Sequence, residues 1–165
     1  LKWFLFISFT TIIYSQGIEL KINEPERWFE NEHIIPVFSL SHSVVSGFSA
    51  FHQMRDRHFY KTGNQELKKH HNRMWHITGG IELSLSIGFG IFSGLKNKEN
   101  IYGYIKDVLL FSGIRWFVRD GVYNLLNGNA WFYQSPNTTA ILDPLGTWYV
   151  KTIYLMGVII IYYLL

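Results

Sequence analysis

Long apolar runs alternate with short polar stretches along this chain. Residues 34–54, 75–95, 104–126 and 145–165 form four such runs. Each is close to the roughly 20 residues that a helix needs to cross a bilayer. The pattern predicts four transmembrane helices. The first run carries Pro36, which suits a first helical turn. It is diluted by Ser39, Ser41, Ser43, Ser46, Gly47 and Ser49, small residues that let helices approach closely in lipid. The second opens on Trp75, an interface anchor, and holds Gly79, Gly80, Gly88, Gly90 and Gly94. The last is the most evenly apolar, with Lys151 near enough to its start to snorkel to the interface.

Residues 1–16 read as a signal sequence: Lys2 is a minimal basic region, Trp3 to Ile13 the apolar stretch, and Ser15 the small residue near a cleavage point. The alternative is an uncleaved first helix, although a stretch of this length is short for a span. Residues 17–33 form an acidic extramembrane segment, with Glu19, Glu24, Glu26, Glu30 and Glu32 against Lys21 and Arg27. Residues 34–165 are the membrane domain. The expected fold is therefore all-α: a polytopic membrane helical bundle of about four transmembrane helices after an N-terminal signal sequence.

Composition sharpens this picture. Charged residues make up 16% of the chain, against about 25% in soluble domains. Residues 55–74 concentrate six Lys/Arg against two acids. The positive-inside rule places that stretch, read as a loop, in the cytoplasm. Residues 17–33 and 96–103 then lie outside and 127–144 inside, as expected for a bacterial inner (cytoplasmic) membrane. The same basic residues suit contact with anionic lipid headgroups. Nucleic acid is not expected as a partner, because the basic run is short and flanked by spans. The absence of cysteine excludes disulfides, thiolate metal sites and a cysteine nucleophile.

The candidate chemistry lies in the spans. His42, Val45, Ser49 and His52 fall within an arc of about 80° on one helix face. Glu82 sits about two turns into the second run. In the third, Trp116, Asp120 and Asn124 share one face, and Arg115 and Arg119 an adjacent one. A charge at mid-bilayer costs about 2.5–3.5 kcal/mol on insertion scales, so these residues need partners. Glu82 and Asp120 are expected at similar depth, each six or seven residues from the cytoplasmic end of its run. Lys106 and Asp107 are expected to be solvated at the opposite interface. His52 and His76 are candidate metal ligands, since they border the basic face with His58, His70 and His71. No nucleophile-elbow, P-loop, dinucleotide or H-E-x-x-H motif is present.

The leading expectation is an integral membrane protein with a polar cluster of His42, His52, His76, Glu82, Arg115, Asp120 and Asn124. That cluster organises the bundle and binds a small polar ligand or a lipid headgroup. The alternative is a membrane-embedded metal-binding protein, or an enzyme acting on lipid at the cytoplasmic face.

Overall fold

A computed structural model describes residues 33–134 and 147–164. The proposed signal sequence, most of the acidic segment and residues 135–146, including Thr138, Thr139 and Asp143, lie outside the described residues. Within them the structure is all-helical, with no strand: α1 spans Ile34–Thr62, α2 Gln65–Lys96, α3 Ile101–Leu126 and α4 Trp148–Leu164.

The helix ends follow local chemistry. Gly63 takes a left-handed conformation (φ 75°) that ends α1. Asn64 then caps α2, its side chain accepting the Leu67 N–H at 3.1 Å. Asn100 caps α3 in the same way, accepting from Gly103 N–H at 3.1 Å.

The tight turn at Gly63 and Asn64 corrects one expectation. Residues 55–74 are not a loop: α1 and α2 continue through them as helix, leaving only two residues between. The hydropathy drop at residue 55 marks where apolar character ends, not where the helix does. Arg, Lys, Gln and Glu are good helix formers, and no Pro or Gly interrupts 55–62 or 65–74.

Two helices, α1 and α2, are long and apolar enough to cross a membrane; α4 is apolar but has 17 residues. α3 carries Lys106, Asp107, Arg115, Arg119 and Asp120, which keep it out of that class.

α1 is the centre of the packing. It lies against both α2 and α3, whose main chains come close to each other at few points, and α4 rests on α3. The buried face of α1 is mostly small and polar: Ser39, His42, Ser43, Ser46, Gly47 and Ser49. Ser39 Oγ donates to Ile35 O at 2.7 Å, and Ser43 Oγ donates to Ser39 O. These two hydroxyls satisfy themselves on their own helix and so add little volume and no polar demand of their own. α3 uses that space at Gly47, where an added Cβ would lie 2.7 Å from Val122 Cβ and 2.9 Å from Arg119 O.

Large apolar side chains show the opposite distribution. Among the described residues only Ile35, Phe89, Leu110 and Val158 are buried hydrophobics. Ile77, Ile81, Leu83, Ile87, Ile91 and Leu95 of α2, and Ile153, Met156 and Ile160 of α4, are exposed. Gly80 and Gly90 face open space, with nothing within 4 Å of an added Cβ. Alanine at either position is expected to leave thermal stability unchanged or raise it by up to about 1 kcal/mol, as the glycine entropy cost is removed. Unfolding in detergent measures this.

Candidate functional site

The third helix has to place its charges, and it does so against the other three helices. Arg115 and Arg119 lie one turn apart on α3. Arg115 Nη2 is 3.5 Å from Glu82 Oε1 on α2, and His42 Nε2 on α1 is 3.8 Å from the same oxygen. Arg119 Nη1 donates to Asp120 Oδ1 at 3.2 Å. Lys151 of α4 reaches the other Asp120 oxygen and forms an ion pair there. Lys151 also lies over the Trp116 ring, 5.9 Å from its centroid. Its ammonium thus turns into the bundle, in place of the snorkelling expected from its position.

These side chains surround a cavity of about 440 Å³, lined by His42, Glu82, Arg115, Trp116, Arg119 and Asp120 together with Ser86, Phe111 and Ser112. The volume is within the usual range for small-ligand sites. α1 contributes His42, α2 contributes Glu82 and Ser86, and α3 the remaining lining residues. Phe111 stacks between His42 and Phe89, with ring centroids 4.8 and 4.3 Å away, and so fixes the apolar end. Ser112 Oγ lies 2.8 Å from Tyr154 OH, which anchors that side of the cavity to α4. Two polar atoms on the lining are buried with no hydrogen-bond partner among the described residues: His42 Nδ1 and Arg119 Nε. His42 as a whole is only 3% exposed. Buried polar atoms are normally satisfied, so these two stand out on the cavity wall.

Four of the seven residues singled out in the sequence converge on this cavity: His42, Glu82, Arg115 and Asp120. The other three lie elsewhere. His52 is buried, and its Nδ1 lies 2.9 Å from Nδ1 of His71, not near His76. His76 is exposed and stacks on Trp75, with centroids 4.8 Å apart. Asn124 holds the turn after α3, its Nδ2 donating to Trp131 O at 2.9 Å and Tyr133 O at 2.8 Å. Among the described residues no three His, Asp or Glu side chains gather as a metal-binding group.

A second polar centre is one the sequence reading placed wrongly. Asp107 is not solvated at an interface: it is 1% exposed. Its Oδ2 accepts from Ser93 Oγ at 2.8 Å and Asn97 Nδ2 at 2.7 Å, and its Oδ1 accepts from Lys96 Nζ at 3.0 Å. Lys96 also donates to Tyr162 OH of α4 at 3.0 Å. The short connection between α2 and α3 folds the last turn of one over the first turns of the other. Ser93, Lys96 and Asn97, spaced i, i+3, i+4, were the available signal.

A third feature is the tip of the α1–α2 hairpin. Arg57, Lys61 and Lys68 line a basic pocket of about 700 Å³ there, with Asp56, His58 and Asn72 among its other residues.

Compared with known proteins, the chain matches no family model, no curated protein and no solved structure.

Proposed function

We propose that this chain is an integral membrane protein, a bundle of four transmembrane helices in a bacterial inner membrane. Its inter-helix cavity takes a small polar ligand or a lipid headgroup. The observation that carries the reading is the cavity itself, with buried His42 Nδ1 and Arg119 Nε left unpartnered on its wall. The membrane assignment draws support from the inverted surface, with small polar residues inside and large aliphatic residues outside. It draws further support from charge. Asp107, Arg115, Arg119 and Asp120 of α3 each meet an opposite charge, the condition under which charges are tolerated at bilayer depth.

Helix length fits as well. The 29 residues of α1 and 32 of α2 give rods of about 44 and 48 Å at 1.5 Å per residue. A hydrocarbon layer is about 30 Å thick. The surplus projects as the basic tip, into the cytoplasm by the positive-inside rule, where Arg57, Lys61 and Lys68 meet anionic headgroups. The chain has no cysteine, so a cysteine at Lys61 is a single reporter. It is expected to resist an impermeant thiol reagent in intact cells and to react after lysis. Labelling of intact cells reverses the orientation.

The ligand reading is tested by native mass spectrometry of protein extracted from its membrane. A bound small molecule or lipid that survives detergent exchange is expected. Ser86→Phe, which fills the cavity from α2, is expected to reduce its occupancy at least tenfold. Equal retention by the variant removes the cavity as the site.

A second reading, a metal centre or lipid-active enzyme at the cytoplasmic face, retains one observation, the His52–His71 contact at 2.9 Å. Stoichiometric iron, zinc or copper that disappears in His52→Ala would support it, and metal-free protein would remove it.

A further inference from the structure

We infer that the occupant of the cavity is an oxoanion, a phosphate group, held by Arg119 and Arg115 and admitted through the cleft between α2 and α3. The inference rests on the reading that the cavity takes a ligand, and adds its charge, its chemistry and its route.

Charge gives the first argument. Two ion-pair groups meet at the cavity, Arg115 with Glu82, and Arg119 and Lys151 with Asp120, Lys151 reaching Asp120 from α4 without itself lining the cavity. One cation is left over, and protonation of His42 would only add to the excess. An uncompensated charge at membrane depth is costly, and a bound anion removes that cost.

The donor inventory points the same way. Both Asp120 oxygens are engaged, by Arg119 and by Lys151. Glu82 faces Arg115 and His42 through one oxygen. Ser86 Oγ and Ser112 Oγ donate to Glu82 O at 3.0 Å and Leu109 O at 2.8 Å. The buried Arg119 Nε–H is a donor without an acceptor, and a guanidinium can only donate. His42 Nε2 faces Glu82 Oε1 at 3.8 Å, so Nδ1 is a second donor when the ring is protonated and an acceptor when the only proton is on Nε2. The guanidinium fork matches carboxylate or phosphate oxygens. Two forks one helical turn apart favour the group with more oxygens to share.

Packing supplies the route. α2 and α3 pack mainly on α1 and are joined to each other by the Asp107 network and the Arg115–Glu82 pair, with the cleft between those two links as the inferred entrance. The Arg115 and Arg119 side chains, both on the cavity lining, are 43% and 39% exposed. A phosphate on a lipid reaches them sideways from the bilayer, and a free phosphate through the aqueous end of the cleft.

The experiment measures binding to the full chain in nanodiscs or detergent with three probes: phosphatidylglycerol, inorganic phosphate and a neutral monoglucosyl diacylglycerol. Phosphatidylglycerol is expected to bind at least tenfold more tightly than the glycolipid. Arg119→Gln and, independently, Arg115→Gln are expected to abolish that preference. A Lys61→Gln/Lys68→Gln variant loses the headgroup contacts of the hairpin tip but is expected to keep the part of the preference that Arg119→Gln removes, separating the cavity from the basic surface. Saturation by inorganic phosphate alone, with the same loss in Arg119→Gln, supports the oxoanion and names the soluble source. If the glycolipid binds as tightly as phosphatidylglycerol, and both arginine variants behave as wild type, the anion is wrong. Should that shared binding vanish in Ser86→Phe, the cavity still stands. If no probe binds and no adduct co-purifies, the cavity reading fails along with the inference.

Discussion

Replacing Asp107 with alanine is expected to destabilise the bundle by about 3–5 kcal/mol, the range for breaking a buried ion pair from one side. The carboxylate accepts from Ser93, Lys96 and Asn97 at once, and Lys96 links it to Tyr162. Three helices therefore depend on one side chain. Its removal leaves Lys96, whose side chain is 22% exposed, without its counter-ion. Thermal or denaturant unfolding in detergent is the measurement. A double variant, Asp107→Leu with Lys96→Met, separates lost charge from lost packing. Removing both charges together is expected to return stability to within about 1 kcal/mol of wild type, because the desolvation cost disappears with the pair. If Asp107→Ala alone is neutral, the network is not what fastens α2 to α3 and α4.

Gly47→Leu is expected to cost about 3 kcal/mol, at the upper end of the usual range for overpacking. It is also expected to abolish ligand retention. The first added carbon would already lie 2.7 Å from Val122 Cβ and Cγ1, and 2.9 Å from the Arg119 carbonyl oxygen. The carbonyl is main chain and cannot swing aside, so α3 must move away from α1. Arg119 moves with it, and the cavity wall is lost. Unfolding measures the first effect and native mass spectrometry the second. The contrast with Gly80 and Gly90, where a side chain meets open space, tests whether the close approach at Gly47 is the cause. A Gly47→Leu protein as stable as the Gly80→Ala variant would contradict the α1–α3 contact itself.

Much of the helix content was legible from hydropathy, because apolar runs of bilayer length have few alternatives. Gly63 and Asn64 are residue types that suit the turn between α1 and α2. The continuity of helix through 55–74 was not legible, since hydropathy reports solvent preference and charged residues fold as helix equally well. Position along each helix paired Glu82 with the α3 charges. Rotation about the helix axis separated His76, and distance along the axis separated His52. His76 lies six residues before Glu82, about 120° away around α2, and His52 lies about 15 Å along α1 from His42. Asp107 shows the complementary failure. Its position in α3 predicted exposure, whereas its burial is set by how the end of α2 folds over it, which no single-helix pattern contains.

The unbroken run of α1 has a mechanical consequence. One rod carries His42 in the cavity wall and Arg57 and Lys61 at its basic end, with no proline or glycine after Gly47 until the turn at Gly63. Such a rod has no joint between its two ends. Whatever tilts the basic end therefore changes the angle of α1 at the cavity, and with it the gap between α2 and α3.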